Sequence, residues 1–92
     1  MFDGRHCTKE DLNLLIKETN RVKLSLAQKD EEVDRFIKRY LELVNRFDQD
    51  IADKMRAEIK IASNDYGKII KIIEKHFEVL EQNIIVDIYE HR

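Results

Sequence analysis

The side chains best suited to chemistry in this sequence are few and scattered. His6 and Cys7 stand together near the start, His76 lies far along the chain, and His91 is next to last. A structural zinc site needs four ligands, commonly delivered as spaced Cys and His pairs. With one cysteine and three histidines at these positions, a site could be assembled only across subunits, and no metal is expected. Thiol catalysis needs a positioned base and a preorganised pocket. Cys7 closes a stretch without periodicity, residues 1–7, which reads as a flexible lead-in, so a free thiol is the expectation there.

Carboxylates are too numerous to be informative, with 19 acidic residues in 92. Glu74 and His76 are two apart, which on a helix points them in different directions. The Glu-x-x-His pattern of di-iron bundles is missing, because Ile73 precedes His76 by three and Ile88 precedes His91 by three. There is neither a glycine-rich phosphate loop nor a serine in a strand–turn–helix setting. The chain reads as a non-enzyme with no catalytic residue, metal or cofactor.

An aromatic line, Phe36, Tyr40 and Phe47, could stack on nucleic-acid bases, but such platforms come with basic neighbours. Here Arg35, Lys38, Arg39 and Arg46 are offset by Asp34, Glu42 and Asp48. The net charge is −2 and no third of the chain is strongly basic: residues 63–92 hold 4 basic and 6 acidic groups. Core packing explains the aromatics better, and a nucleic-acid partner is not expected. No apolar run is long enough to span a membrane. The opening Met1-Phe2-Asp3-Gly4-Arg5 lacks the apolar stretch of a signal peptide. One cysteine and no leader point to a reducing, cytoplasmic setting.

Helices must position whatever the protein uses. Proline is absent, glycine occurs only at 4 and 67, and charged residues make up 39% of the chain. Thr8 is a plausible N-cap for a stripe of Leu12, Leu15, Ile16, Thr19, Val22 and Leu26, spaced by threes and fours. The stripe lapses over 27–32, where Asp30 could cap a new helix with Glu31 and Glu32 in its first turn. A second stripe runs Val33, Phe36, Ile37, Tyr40, Val44, Phe47, Ile51, Met55, Ile59 and Ala62. Lys54 and Glu58 sit close to it, either pairing with each other or marking the end of a partner helix. Ser63-Asn64-Asp65-Tyr66-Gly67 is the next boundary, with Gly67 able to adopt a backbone shape other residues resist.

The last helix is the unusual one. Tyr66, Ile69, Ile70, Ile73, Phe77, Leu80, Ile84 and Ile88 make one apolar line. Ile72, Val79 and Val86 make a second, with His76 and Asn83 between the two. Together these positions cover roughly 200° of the circumference at about 100° per residue, and such a helix is usually buried from two directions. His76 is expected as a satisfied polar residue at a seam, with a pH switch as the sharper alternative. Asn83 could fix register.

The sequence therefore predicts an all-α fold: an antiparallel helical hairpin or three-helix bundle with coiled-coil-like packing. The helices fall near 9–28, 31–62 and 64–90, within one helical domain over 8–92. Excess apolar residues, including off-stripe Leu14, Leu24 and Leu41, suggest a homodimer. The expected role is a non-catalytic interaction module, such as an adaptor, assembly factor or inhibitor, with a further protein partner. Its candidate interface is Ile72, His76, Val79, Asn83 and Val86. The alternative is a small nucleic-acid-associated regulator, or the partner of a toxin or repressor.

Overall fold

A computed structural model describes residues 7–90, and every regular element among them is helical: α1 (Lys9–Ala27), α2 (Val33–Phe47), α3 (Gln49–Ala62) and α4 (Tyr66–Glu90). Residues 1–6 of the expected lead-in lie outside the described part, as do His91 and Arg92.

α1 begins as the sequence suggests. The Thr8 hydroxyl accepts from the Asp11 amide at 3.2 Å, and the Asp11 carboxylate accepts from the Thr8 amide at 2.8 Å. Two orphan donors are thus satisfied reciprocally, with Glu10 and Asp11 placed where the helix dipole favours negative charge. At the other end the Asp30 amide reaches back to Ser25 O and the Lys29 amide to Leu26 O. This pair of bonds needs a left-handed residue at its centre, and Lys29, at φ 54°, takes that role. Asp30 accepts from the Glu32 amide at 2.9 Å, but it is not the cap expected of it: the N-cap of α2 is Glu32, which makes no side-chain cap bond, and Glu31 and Glu32 precede the helix rather than filling its first turn. The helix proper begins at Val33, two residues later than the sequence suggested.

The main difference from expectation lies at Asp48. The stretch read as one helix over 31–62 is two helices, because Asp48 adopts an extended backbone at φ −156°, ψ 106°. One residue serves both ends: its amide donates to Val44 O at 2.8 Å, and its carboxylate accepts from the Ile51 amide at 3.1 Å. The apolar spacing runs through this joint unbroken, since Asp48 falls between Phe47 and Ile51, and so the stripe conceals it. The described residues therefore form four helices rather than the two or three expected.

Each helix packs on the next, and α4 closes back onto α1. The directions follow from named contacts. Thr19 meets Tyr40, making α2 antiparallel to α1. Cys7 meets Asp87 and Lys23 meets Glu74, making α4 antiparallel to α1. Glu58 meets Lys75 and His76 just beyond a short turn, making α3 antiparallel to α4. Hence α3 runs back along α2. The molecule is 41 × 21 × 19 Å, and its long axis is set by α4, whose 25 residues span about 37 Å.

The core takes Leu15, Val22 and Leu26 from α1, Val33, Ile37, Tyr40, Leu41, Val44 and Phe47 from α2, Ile51, Ala52 and Met55 from α3, and Ile69, Ile73, Leu80 and Ile84 from α4. Leu41, expected as surplus surface, is buried because α2 has neighbours on two sides, whereas Leu14 and Leu24 are exposed. One polar pair enters this core. The Thr19 hydroxyl donates to Leu15 O at 2.6 Å, which leaves Tyr40 as the donor in the 2.8 Å bond between the two hydroxyls. Burial pushes the Tyr40 phenol up to about 12, only partly countered by Thr19, so it stays a neutral donor. The relay ties α1 to α2 with no orphaned group, which matters because an unsatisfied buried hydroxyl costs about 1–3 kcal/mol.

Gly67 does not take the special backbone shape expected of it. It is helical, and a Cβ there would lie 3.6 Å from Asp65 Oδ1, an ordinary contact. Ser63, at φ 56°, carries the positive φ at this turn, while Asp65 caps α4 by accepting from the Lys68 amide at 3.1 Å. Two substitutions should therefore stabilise the fold. Lys29→Gly relieves the left-handed position, and Gly67→Ala reduces unfolded-state freedom, each raising stability by about 0.5–1 kcal/mol. Urea titration of each variant checks this, and a lower midpoint for either would contradict the backbone assignment at that site.

Candidate functional site

The five interface residues expected on α4 do not share one environment. His76 is buried at 9% exposure, Ile72 is half-buried, Asn83 is exposed, and Val79 and Val86 are exposed at 52% and 51%. The reason is rotational. Ile69, Ile73, Leu80 and Ile84 fill the core side of α4. The line Ile72, Val79 and Val86 stands about 80–140° around the helix from the middle of that side. The structure leaves this second line largely uncovered and turns His76 inward toward α3.

His76 is held by Glu58. Its Nε2–H donates to Glu58 Oε2 at 2.5 Å, and Lys75 Nζ donates to Glu58 Oε1 at 2.6 Å. Each carboxylate oxygen thus takes one donor from α4, in a clamp between adjacent helices. Hydrogen bonds from Lys75, then from His76, hold the Glu58 carboxyl below its ordinary range. A carboxylate in that state accepts, so the proton on the facing ring nitrogen is fixed. Glu58 pairs with Lys75 and His76 of α4 rather than with Lys54, the pairing considered from sequence. Its position at the edge of the α3 stripe was the visible signal, but the across-helix partners were not.

Cys7 sits where α1 begins and α4 ends. Its amide donates to Asp87 Oδ2 at 2.6 Å, and the side chain packs partly against the core. Burial first, then the Asp87 and Asp11 charges, push the thiol up to about 11. This is the opposite of the electropositive setting that activates a cysteine. His6 and His91, considered with Cys7 as metal donors, lie outside the described residues. Among the described residues no group of three or more His, Cys, Asp or Glu side chains could hold a metal ion.

The described residues form shallow recesses in two places. A cleft of about 160 Å³ between α1 and α2 is lined by Leu14, Arg21, Phe36, Tyr40 and Leu43, among others, with Arg21 stacked over the Phe36 ring at 5.8 Å. The aromatic line is thus divided: Tyr40 and Phe47 are buried, and Phe36 is half-covered by an arginine of its own chain. A second recess, about 310 Å³, lies where Leu12 faces Ile85, Ile88 and Tyr89. Neither gathers an acid, a base and a nucleophile. No described helix is long and apolar enough to cross a membrane. No family model matches the chain, and comparison with curated proteins and with solved structures returns no match.

Two titration experiments test this geometry. Glu58 has a depressed folded pKa, so its contribution is fully present at neutral pH. That contribution shrinks as pH falls below the unfolded value of 4.5 and disappears below the depressed folded one. Because the side chain is 34% exposed, the effect is at most about 1 kcal/mol. Glu58→Gln should lower the urea midpoint slightly at pH 7, with the gap closing as pH drops below 4. An equal gap at both ends would disprove the clamp. For Cys7, a pKa of about 11 leaves roughly one thiolate in a thousand at pH 8, against roughly one in ten at the ordinary 9.0. Iodoacetamide labelling of folded protein should be slow and should quicken in Asp87→Asn, whereas labelling as fast as a free thiol would refute the assignment.

Proposed function

We propose that this chain is a non-catalytic protein–protein interaction module, an adaptor, assembly factor or inhibitor, acting through the outer face of α4. One observation carries the reading: α4 has two apolar lines, and the described residues cover only one of them. Val79 and Val86 stand half-exposed along one side with half-buried Ile72 in line. Ile61, at 84% exposure, adds to the same edge. Glu58 meets Lys75 and His76, so three residues further along antiparallel α3 Ile61 comes level with Ile72.

Fully burying a branched aliphatic side chain stabilises by about 1.5–3 kcal/mol. A partner covering the open halves of three or four such residues therefore gains several kcal/mol before association entropy. The proposed assembly is a homodimer in which the four helices of each copy form a bundle with coiled-coil-like crossing and the two bundles join through α4. A further protein partner would use the surface left over. The proposed setting is cytoplasmic, where a lone thiol stays reduced.

Solution mass tests the reading. Wild-type protein should run at about twice 11.1 kDa in sedimentation equilibrium at micromolar concentration. Val79→Asp and Val86→Asp should each shift it to monomer with unchanged helical circular dichroism, because both positions are half-exposed and a carboxylate there is tolerated by the monomer fold. A wild-type monomer would end the homodimer proposal. A dimer indifferent to both substitutions would move the interface off α4.

A further inference from the structure

The uncovered line on α4 has an internal symmetry that selects its partner. Val79 is seven residues after Ile72 and seven before Val86. In an antiparallel pair of identical helices crossing at residue 79, position 79 − n faces position 79 + n of the other copy. Ile72 then faces the second copy's Val86 twice over, and Val79 faces itself on the two-fold axis. The same arithmetic governs the flanking polar residues. Lys68, eleven before Val79, falls opposite Glu90, eleven after it. Lys75, four before, falls opposite Asn83, four after. Eighteen residues make five turns of helix, so Lys68 shares its azimuth with Val86, and Ile72 shares its azimuth with Glu90. All of these groups therefore border the same strip, and Lys68, Lys75, Val79, Asn83, Val86 and Glu90 are exposed.

A parallel pair gives the opposite result. Each residue would then face its own copy, setting Lys68 against Lys68, Lys75 against Lys75 and Glu90 against Glu90. Apolar matching is equally good in both arrangements, so charge decides between them. Glu58 already neutralises Lys75 within its own chain, which leaves Lys68 and Glu90 as the pair that sets orientation.

We infer that the occupant of this face is a second copy of the chain, docked with α4 antiparallel to α4 about a two-fold axis at Val79, with Lys68 of each copy opposite Glu90 of the other. Self-complementary contacts of this kind are what a two-fold interface requires, since every contact off the axis occurs twice.

The inference rests on the self-association proposed above, and a charge exchange separates the two. Lys68→Glu and Glu90→Lys should each weaken the dimer roughly tenfold, because each puts two like-charge contacts across the axis. The double variant should return to within about threefold of wild type. These positions are exposed, so folding is not at risk. Disulfide mapping in a Cys7→Ala background gives a second readout. Val79→Cys should cross-link to itself on oxidation. Ile72→Cys should not, but should cross-link when mixed with Val86→Cys. A dimer in which Ile72→Cys links to itself, or in which the double charge variant stays as weak as the singles, overturns the antiparallel register while leaving self-association intact. A monomeric wild type overturns both.

Discussion

Asp48 is the residue on which the arrangement of the other two connections depends. The 15 helical residues before it and the 14 after it, were they continuous, would form a rod of about 44 Å, and α1 and α4 could then flank it only at opposite ends. A single extended residue prevents this. Its backbone ends the hydrogen-bond ladder of α2, and its carboxylate takes the Ile51 amide that opens α3. The chain folds back at once, Phe47 and Ile51 are both buried beside the corner, and each helix acquires two neighbours. Having two neighbours is what allows an 11.1 kDa chain to bury sixteen apolar side chains in one contiguous cluster. A chain this short would otherwise struggle to assemble such a core.

What could be read from the sequence follows from what periodicity encodes. Spacing by threes and fours reports which side of a helix is apolar, and it located the buried face of every helix. Leu15, Thr19, Val22 and Leu26 on α1, and Ile69, Ile73, Leu80 and Ile84 on α4, are buried where the stripes predicted. The all-α class was likewise legible. Periodicity does not report where a stripe stops being one rod. A cap occupying a single position between two apolar residues leaves the spacing intact, and that is why the corner at Asp48 was invisible. Glycine, the usual flag for a helix end, was misleading in both directions. The left-handed positions went to Lys29 and Ser63, and the interior glycine entered a helix. Here the tertiary return of the chain outweighs a local preference worth about 1 kcal/mol.

Polar pairings across helices were the least legible part. Thr19 and Tyr40 were each placed correctly on an apolar stripe, but a stripe gives no information about which hydroxyl will meet which. That depends on the relative height of two helices, which loop geometry sets. The same holds for Glu58 with His76 and for Cys7 with Asp87, separated by 18 and 80 residues. His76 shows the consequence most clearly. From sequence it stood between two apolar lines and was grouped with Val79 and Val86. In three dimensions a rotation of about 60° separates a ring sealed against α3 from valines open to water.

That rotation also explains why α4 alone keeps a second apolar line. α1, α2 and α3 each bury the stripe that faces the core, and their outer surfaces carry mainly charge. α4 runs 25 residues against neighbours of 19 and 14, and its fold needs only the line through Ile69, Ile73, Leu80 and Ile84. For the monomer, Val79 and Val86 could be lysine or glutamate at no cost to the core, and helix propensity would improve, since β-branched residues are worse helix formers than either. Valine at those two positions keeps about half its surface exposed and is a poorer helix former than either, and a second surface that excluded water would bury the remaining half. The spacing of these valines about position 79, with a lysine and a glutamate equally distant on either side, is a pattern that the core of a single copy does not require.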